Sequence, residues 1–168
     1  TIKSNCLLFQ VFNLISIKMK LSLLLLLFSL SCFSQTEKKE YHLIPWPKSI
    51  TSSSGKFIIT SDFAISIIGN PNQRIFPYAD RFLRRLDGRT GLFFKQGVIN
   101  KGSNSTNKQL IINCKTEGKI DINQNESYTL EIQENTIKIE SYSDLGAMHA
   151  LETLLQLLTI DGNQFAFP

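Results

Sequence analysis

Cysteine, histidine and neighbouring carboxylates are all scarce in this sequence. The cysteines are Cys6, Cys32 and Cys114, and two of them lie in an apolar leading stretch. With that stretch removed Cys114 stands alone, which excludes a disulfide framework and a multi-cysteine metal site for the remainder. Beside Leu110, Ile111 and Ile112, it reads as a small buried hydrophobe. The two histidines, His42 and His149, are far apart, and no acid cluster near either suggests a metal site or catalytic dyad. No aspartate adjoins a glutamate anywhere in the chain. No cofactor or metal is expected.

Acidic residues are absent from positions 1–34, which carry only Lys3, Lys18 and Lys20 as charges. The formal charge of +4 therefore resides mostly there, and the remainder has 15 basic against 14 acidic side chains. That near balance excludes strong electrostatic attraction to nucleic acid. Arg74, Arg81, Arg84, Arg85 and Arg89 do cluster, but Asp80 and Asp87 interleave and no Gly-rich loop accompanies them, so they read as a solvated helix face.

The leading stretch has the layout of a secretory signal peptide. Met19 and Lys20 precede an apolar run from Leu21 to Leu30, and Ser31-Cys32-Phe33-Ser34 supplies small residues for cleavage after Ser34. The run falls short of the about 20 apolar residues a membrane helix needs. On this reading Met19 is the start, residues 1–34 are upstream sequence plus leader, and the protein is exported. A rival is one membrane anchor over Leu7 to Phe33, which would place Lys18 and Lys20 in the bilayer. A third reading lipidates Cys32, the one route by which a membrane would become a partner.

Residues 35–40 are polar and read as a linker, with a domain over 41–164. His42-Leu43-Ile44-Pro45-Trp46-Pro47 favours an extended opening in which Trp46 is a packed anchor. Strands are predicted from Lys56 to Thr60 and from Phe63 to Ile68. Ile75, Ala79, Phe82, Leu83 and Leu86 recur on one helical face, with Gly88 as the cap. Leu92 to Phe94 is a short strand, Asn100 to Gln109 a surface loop, and Leu110 to Cys114 a strand buried on both faces. Alternation over Tyr128–Ile132 and Thr136–Glu140 around Glu134-Asn135 predicts a hairpin with one solvated face. Asp144 caps a final helix with Leu145, Met148, Leu151, Leu154, Leu155 and Leu158 as its stripe, ended by Asp161-Gly162. Glu152 lies on its surface. The fold class is α+β, an antiparallel or mixed sheet with helices packed on one face.

Two segments carry a family resemblance. Ile44-Pro45-Trp46-Pro47-Lys48-Ser49-Ile50 with Gly55-Lys56-Phe57 resembles the opening of the small domain that precedes the barrel in family-20 glycoside hydrolases, the β-N-acetylhexosaminidases. Glu126-Ser127-Tyr128-Thr129-Leu130 and Gly146-Ala147-Met148-His149-Ala150-Leu151-Glu152-Thr153-Leu154-Leu155-Gln156-Leu157 resemble its closing hairpin and helix. The resemblance implies a non-catalytic supporting domain joined to a (β/α)8 barrel, its partner, which would bind the glycan and remove terminal N-acetylhexosamine. The family's acids lie in a His-x-Gly-Gly-Asp-Glu stretch not found in this sequence, so no catalytic residue is carried over.

Residues 165–168 read as the start of the connection to that barrel. His149, Phe165 and Phe167 are the expected contacts with it. Trp46 is a candidate for sugar stacking. A free-standing carbohydrate-binding module, using Trp46, Tyr41 or Tyr142, and a supporting domain of another exported glycoside hydrolase stay open as alternatives. Asn104-Ser105-Thr106 and Asn125-Glu126-Ser127 match the glycosylation pattern but read as polar loop residues.

Overall fold

A computed structural model of the chain describes residues 40–53, 55–94, 99–101 and 109–168. The leader, most of the linker, and Asn104-Ser105-Thr106 lie outside the described residues. Residues 41–168 form one compact unit.

Its centre is a five-stranded mixed sheet. The strands are β2 (Ala64–Gly69), β3 (Ile99–Lys101), β4 (Gln109–Thr116), β5 (Tyr128–Ile132) and β6 (Thr136–Ser143), in the order β3-β2-β4-β6-β5. β2 pairs in parallel with β3 and β4, and β4 in parallel with β6. Only β5 runs antiparallel, as the hairpin partner of β6. Successive side chains of a strand point to opposite faces, so the registers build apolar rows. Ile65, Leu110, Ile137 and Ile132 line up across four strands, as do Ile67, Ile112, Ile139 and Leu130.

Two helices cover that apolar face. Helix α1 (Ile75–Thr90) buries Ile75, Ala79, Phe82, Leu83 and Leu86, the residues its periodicity singled out. Helix α2 (Asp144–Gln156) packs on α1, β4, β5 and β6, burying Ala147, Ala150, Leu151, Leu154 and Leu155. Leu151 is fully buried, and truncating such a leucine to alanine costs about 2–5 kcal/mol. Leu145, Met148 and Leu158 from the expected stripe are only partly covered, whereas the small Gly146, Ala147 and Ala150 are buried and let α2 approach the sheet.

A smaller antiparallel sheet, β1 (Phe57–Ile58), β7 (Thr159–Asp161) and β8 (Gln164–Phe167), has the order β1-β8-β7. Phe57 faces Phe167 in the register, and their rings lie 6.3 Å apart. The first strand of the unit is thus closed by its last.

Several expectations need correction. α1 runs past Gly88 and ends at Gly91, whose φ of 67° and amide bond to the Asp87 carbonyl make it the cap. Leu92 to Phe94 form no strand. β4 is buried on one face only: Leu110, Ile112 and Cys114 are enclosed while Ile111 and Asn113 are half-covered, because both helices lie on the same side. Ser143, not Asp144, is the N-cap of α2, accepting from the Gly146 amide. Asp161-Gly162 does not end that helix but turns β7 into β8, with Gly162 at φ 60°. Phe165, Ala166 and Phe167 lie in strand β8, which pairs with β1.

Candidate functional site

The solvent side of α2 carries His149, Glu152, Thr153 and Gln156, spaced at three and four residues and so neighbours on the helix surface. Against them lie the opening segment, through Ile44 and Pro45, and Glu126 and Tyr128 at the start of β5. Together they line a half-open groove of about 420 Å³.

Hydrogen bonds fix its walls. The Gln156 amide group accepts from the Ile44 amide at 2.8 Å and donates to the Ile44 carbonyl at 3.0 Å, pinning the opening segment as a strand would. The Thr153 hydroxyl donates to the His149 carbonyl at 3.1 Å, so Tyr128 donates to Thr153, at 2.6 Å. His149 Nε2 and Glu126 Oε2 pair at 2.8 Å. Glu152 Oε1 accepts from the Tyr78 hydroxyl at 2.8 Å and from Arg85 of α1.

Those contacts set the electrostatics. The hydrogen bond from Arg85 holds the Glu152 carboxyl below the usual carboxylate range, against the opposing effect of burial. Burial, then the bond to Glu152, raises the Tyr78 hydroxyl. A glycosidic general acid needs its carboxyl raised. Glu152 moves the other way. Among the described residues no group of three or more His, Cys, Asp or Glu could hold a metal ion.

The pairing of the arginines differs from a solvated cluster. Arg74 bonds Asp144, Arg84 bonds Asp80 one turn away, and Arg85 bonds Glu152. Arg89 donates to the Leu155 carbonyl and Arg81 lies over the Tyr78 ring. Three of the five therefore tie α1 to α2. Asp144 is neither a cap nor exposed: its side chain is fully enclosed, and it also accepts from the Gly118 amide at 2.5 Å.

His149 is exposed on the groove wall, beside Glu126. Phe165 is half-buried and Phe167 fully buried within this unit, so the three residues are not brought to one surface. Trp46 is not a packed anchor; it is 66% exposed, and the anchor is Leu43, because the clasp on Ile44 turns Leu43 inward. Tyr41 is half-buried, its hydroxyl 3.2 Å from that of Ser52, and Tyr142 is exposed. Cys114 is fully buried, and burial pushes its thiol up to about 12. Asn125 belongs to a local turn in which its side chain accepts from the Ser127 amide at 2.9 Å. Sequence reasoning missed Gln156, Glu126 and Tyr128 as groove residues, and the pairings of Arg85 with Glu152 and Arg74 with Asp144. For Gln156 no local signal existed, since its partner lies 112 positions earlier.

Comparison with known proteins places this architecture. The family described as beta-acetyl hexosaminidase like matches residues 43–157. The chitobiase of Flavobacterium johnsoniae is similar at 50% identity with a TM-score of 0.73, over 80% of this chain and 20% of its own. An exo-β-N-acetylglucosaminidase of family 20 from Vibrio harveyi is similar at 26% identity with a TM-score of 0.51, over 80% of this chain and 19% of its own. The chain thus spans about one fifth of the length of these solved relatives. No curated protein matches it at the level of sequence. On the match over residues 43–157, which contains both helices and the five-stranded sheet, this chain belongs to the beta-acetyl hexosaminidase-like family.

Proposed function

We propose that this chain is the non-catalytic supporting domain of an exported β-N-acetylhexosaminidase, an enzyme that removes terminal N-acetylhexosamine from glycans or chitin fragments. The observation that carries the reading is the 50% identity with a chitobiase over 80% of this chain and 20% of that enzyme. The electrostatics agree with a supporting role: Glu126, Asp144 and Glu152 are committed to His149, Arg74 and Arg85. A catalytic barrel joined to this domain is the partner the reading requires.

The test compares this chain with the protein encoded by the uninterrupted reading frame. A chromogenic N-acetyl-β-glucosaminide should be hydrolysed by the longer protein and left intact by this chain. Turnover by this chain alone, or a longer protein inert on N-acetylhexosaminides, would sink the reading.

Export rests on the layout from Met19 to Ser34. Protein recovered from outside the cytoplasm should begin at Gln35. A mature start at a lipid-bearing Cys32 would make the protein membrane-attached, and an unprocessed start at Met19 would refute export.

A further inference from the structure

We infer that the face of the five-stranded sheet turned away from the helices, centred on Tyr142 and Glu140, is a binding platform for N-acetylhexosamine oligosaccharides. The choice of that sugar rests on the enzymatic reading above, and the platform itself rests on the geometry of β4, β5 and β6.

Alternation divides β6 in two. Ile137, Ile139 and Ser141 are buried on the helix side, and Lys138, Glu140 and Tyr142 stand exposed on the other. The register sets neighbours beside them: Lys138 lies between Glu131 and Ile111, and Glu140 between Thr129 and Asn113. At about 3.4 Å per residue and about 4.8 Å per strand, the three strands offer an area of roughly 14 by 10 Å, enough for an oligosaccharide of a few rings. The platform is held in place. The Tyr142 amide donates to the Ser127 carbonyl at 3.0 Å, and its own carbonyl accepts from the Thr116 hydroxyl at 3.1 Å. Asn113 Nδ2 donates to Glu140 Oε2 at 2.9 Å. Groups fixed in this way lose little freedom when a ligand arrives.

The chemistry of this face selects its ligand. The exposed Lys115, Lys138, Glu131 and Glu140 balance in charge, which gives a polyanion no net attraction. Such charges are depleted from the cores of protein interfaces, so a docked protein surface is disfavoured too. A neutral polar ligand with apolar faces remains. Tyr142, 43% exposed, offers the electron-rich face of its ring to the polarised C–H groups of a sugar. A carboxylate has about four lone-pair sites, and the bond from Asn113 occupies one, so Glu140 keeps acceptors for sugar hydroxyls. Lys138 supplies donors. The partly covered Ile111 beside it is an apolar spot for an acetamide methyl, which a plain glucose polymer lacks.

An amide NMR titration of this chain with the N-acetylglucosamine trisaccharide tests the inference. Saturable shifts should map to residues 111–115, 129–131 and 138–142, with a Kd on the order of 1 mM. Tyr142→Ala should weaken binding about tenfold, as the loss of one stacked ring does, and Tyr142→Phe should keep it. The shift map needs no variant, so it decides the matter should Tyr142→Ala fail to fold. No saturable shift at about ten times that concentration overturns the inference. So do shifts confined to the helix side around Trp46 and His149, and so does equal binding of the matching glucose trisaccharide. Hydrolysis of a chromogenic N-acetylhexosaminide by the longer protein is read separately. Binding here without hydrolysis there keeps the platform and removes the enzymatic reading, and hydrolysis without binding does the reverse.

Discussion

The carboxylate of Asp144, in the first turn of α2, is fully enclosed and receives the guanidinium of Arg74, the residue before α1. Seventy positions separate the two, and the same carboxylate also takes the Gly118 amide. One side chain therefore fastens the starts of both helices and the loop after β4.

Removing one partner of such a pair leaves the other uncompensated. Asp144→Ala should cost about 3 kcal/mol, the low end for a broken buried pair because Arg74 keeps partial access to water. Urea unfolding measures it. A second change, Arg74→Met, should recover part of the loss, and strictly additive losses would show the pair to be uncoupled.

Gly146 predicts a steric limit. A β-carbon there would lie 2.6 Å from the Glu126 carbonyl oxygen and 2.6 Å from the Ser141 hydroxyl. The carbonyl is backbone and cannot swing aside. Gly146→Ala should destabilise by about 1–3 kcal/mol despite alanine's better helix propensity. Gly88, with nothing near it, is the control: there alanine should stabilise by up to about 1 kcal/mol.

The acid limb of stability should contain a contribution from Glu152. Its carboxyl is held below the ordinary 4.5, first by the bond from Arg85, so the stabilisation is complete above that value. It is lost as pH falls through the lower folded value. The pair is more than a third exposed, and solvent screening limits the effect to about 0.2–1 kcal/mol. Glu152→Gln should flatten that part of a stability profile measured between pH 5 and 2, ranges set by ordinary carboxylates. An unchanged profile would remove Glu152 from the account.

Cys114, fully buried with its thiol pushed up to about 12, should resist thiol reagents at pH 8 in the folded chain. Labelling of Cys114, separated from Cys6 and Cys32 by peptide mapping, should follow the denaturation curve. Prompt labelling of Cys114 in the native chain would contradict the burial.

What could be read ahead of the structure was whatever repeats locally. The alternation of Tyr128–Ile132 with Thr136–Glu140 marked a hairpin, and the five apolar positions of α1 are its five buried residues. Choices between neighbours were not legible. Gly88 and Gly91 are both plausible stops for α1, and only the backbone angle decides. Ser143 and Asp144 are both good caps, and the decision is made by Arg74, far away in the chain. The groove was legible only through His149. Its other walls come from segments near positions 44, 126 and 156, and their meeting follows from the order of strands rather than from any motif.

The pairing of Phe57 with Phe167 spans nearly the whole folded unit, and it has a consequence for timing. During synthesis β1 emerges first and waits, unpaired and apolar, until the chain through β8 has followed. Pairings of such separation are slow to form and leave strand edges open meanwhile. A stalled chain that has emerged only as far as Asn163 would hold its large sheet made and its small one unformed, because β8 is the central strand to which both β1 and β7 pair. Chaperone capture along such stalled chains should persist until that last strand is released.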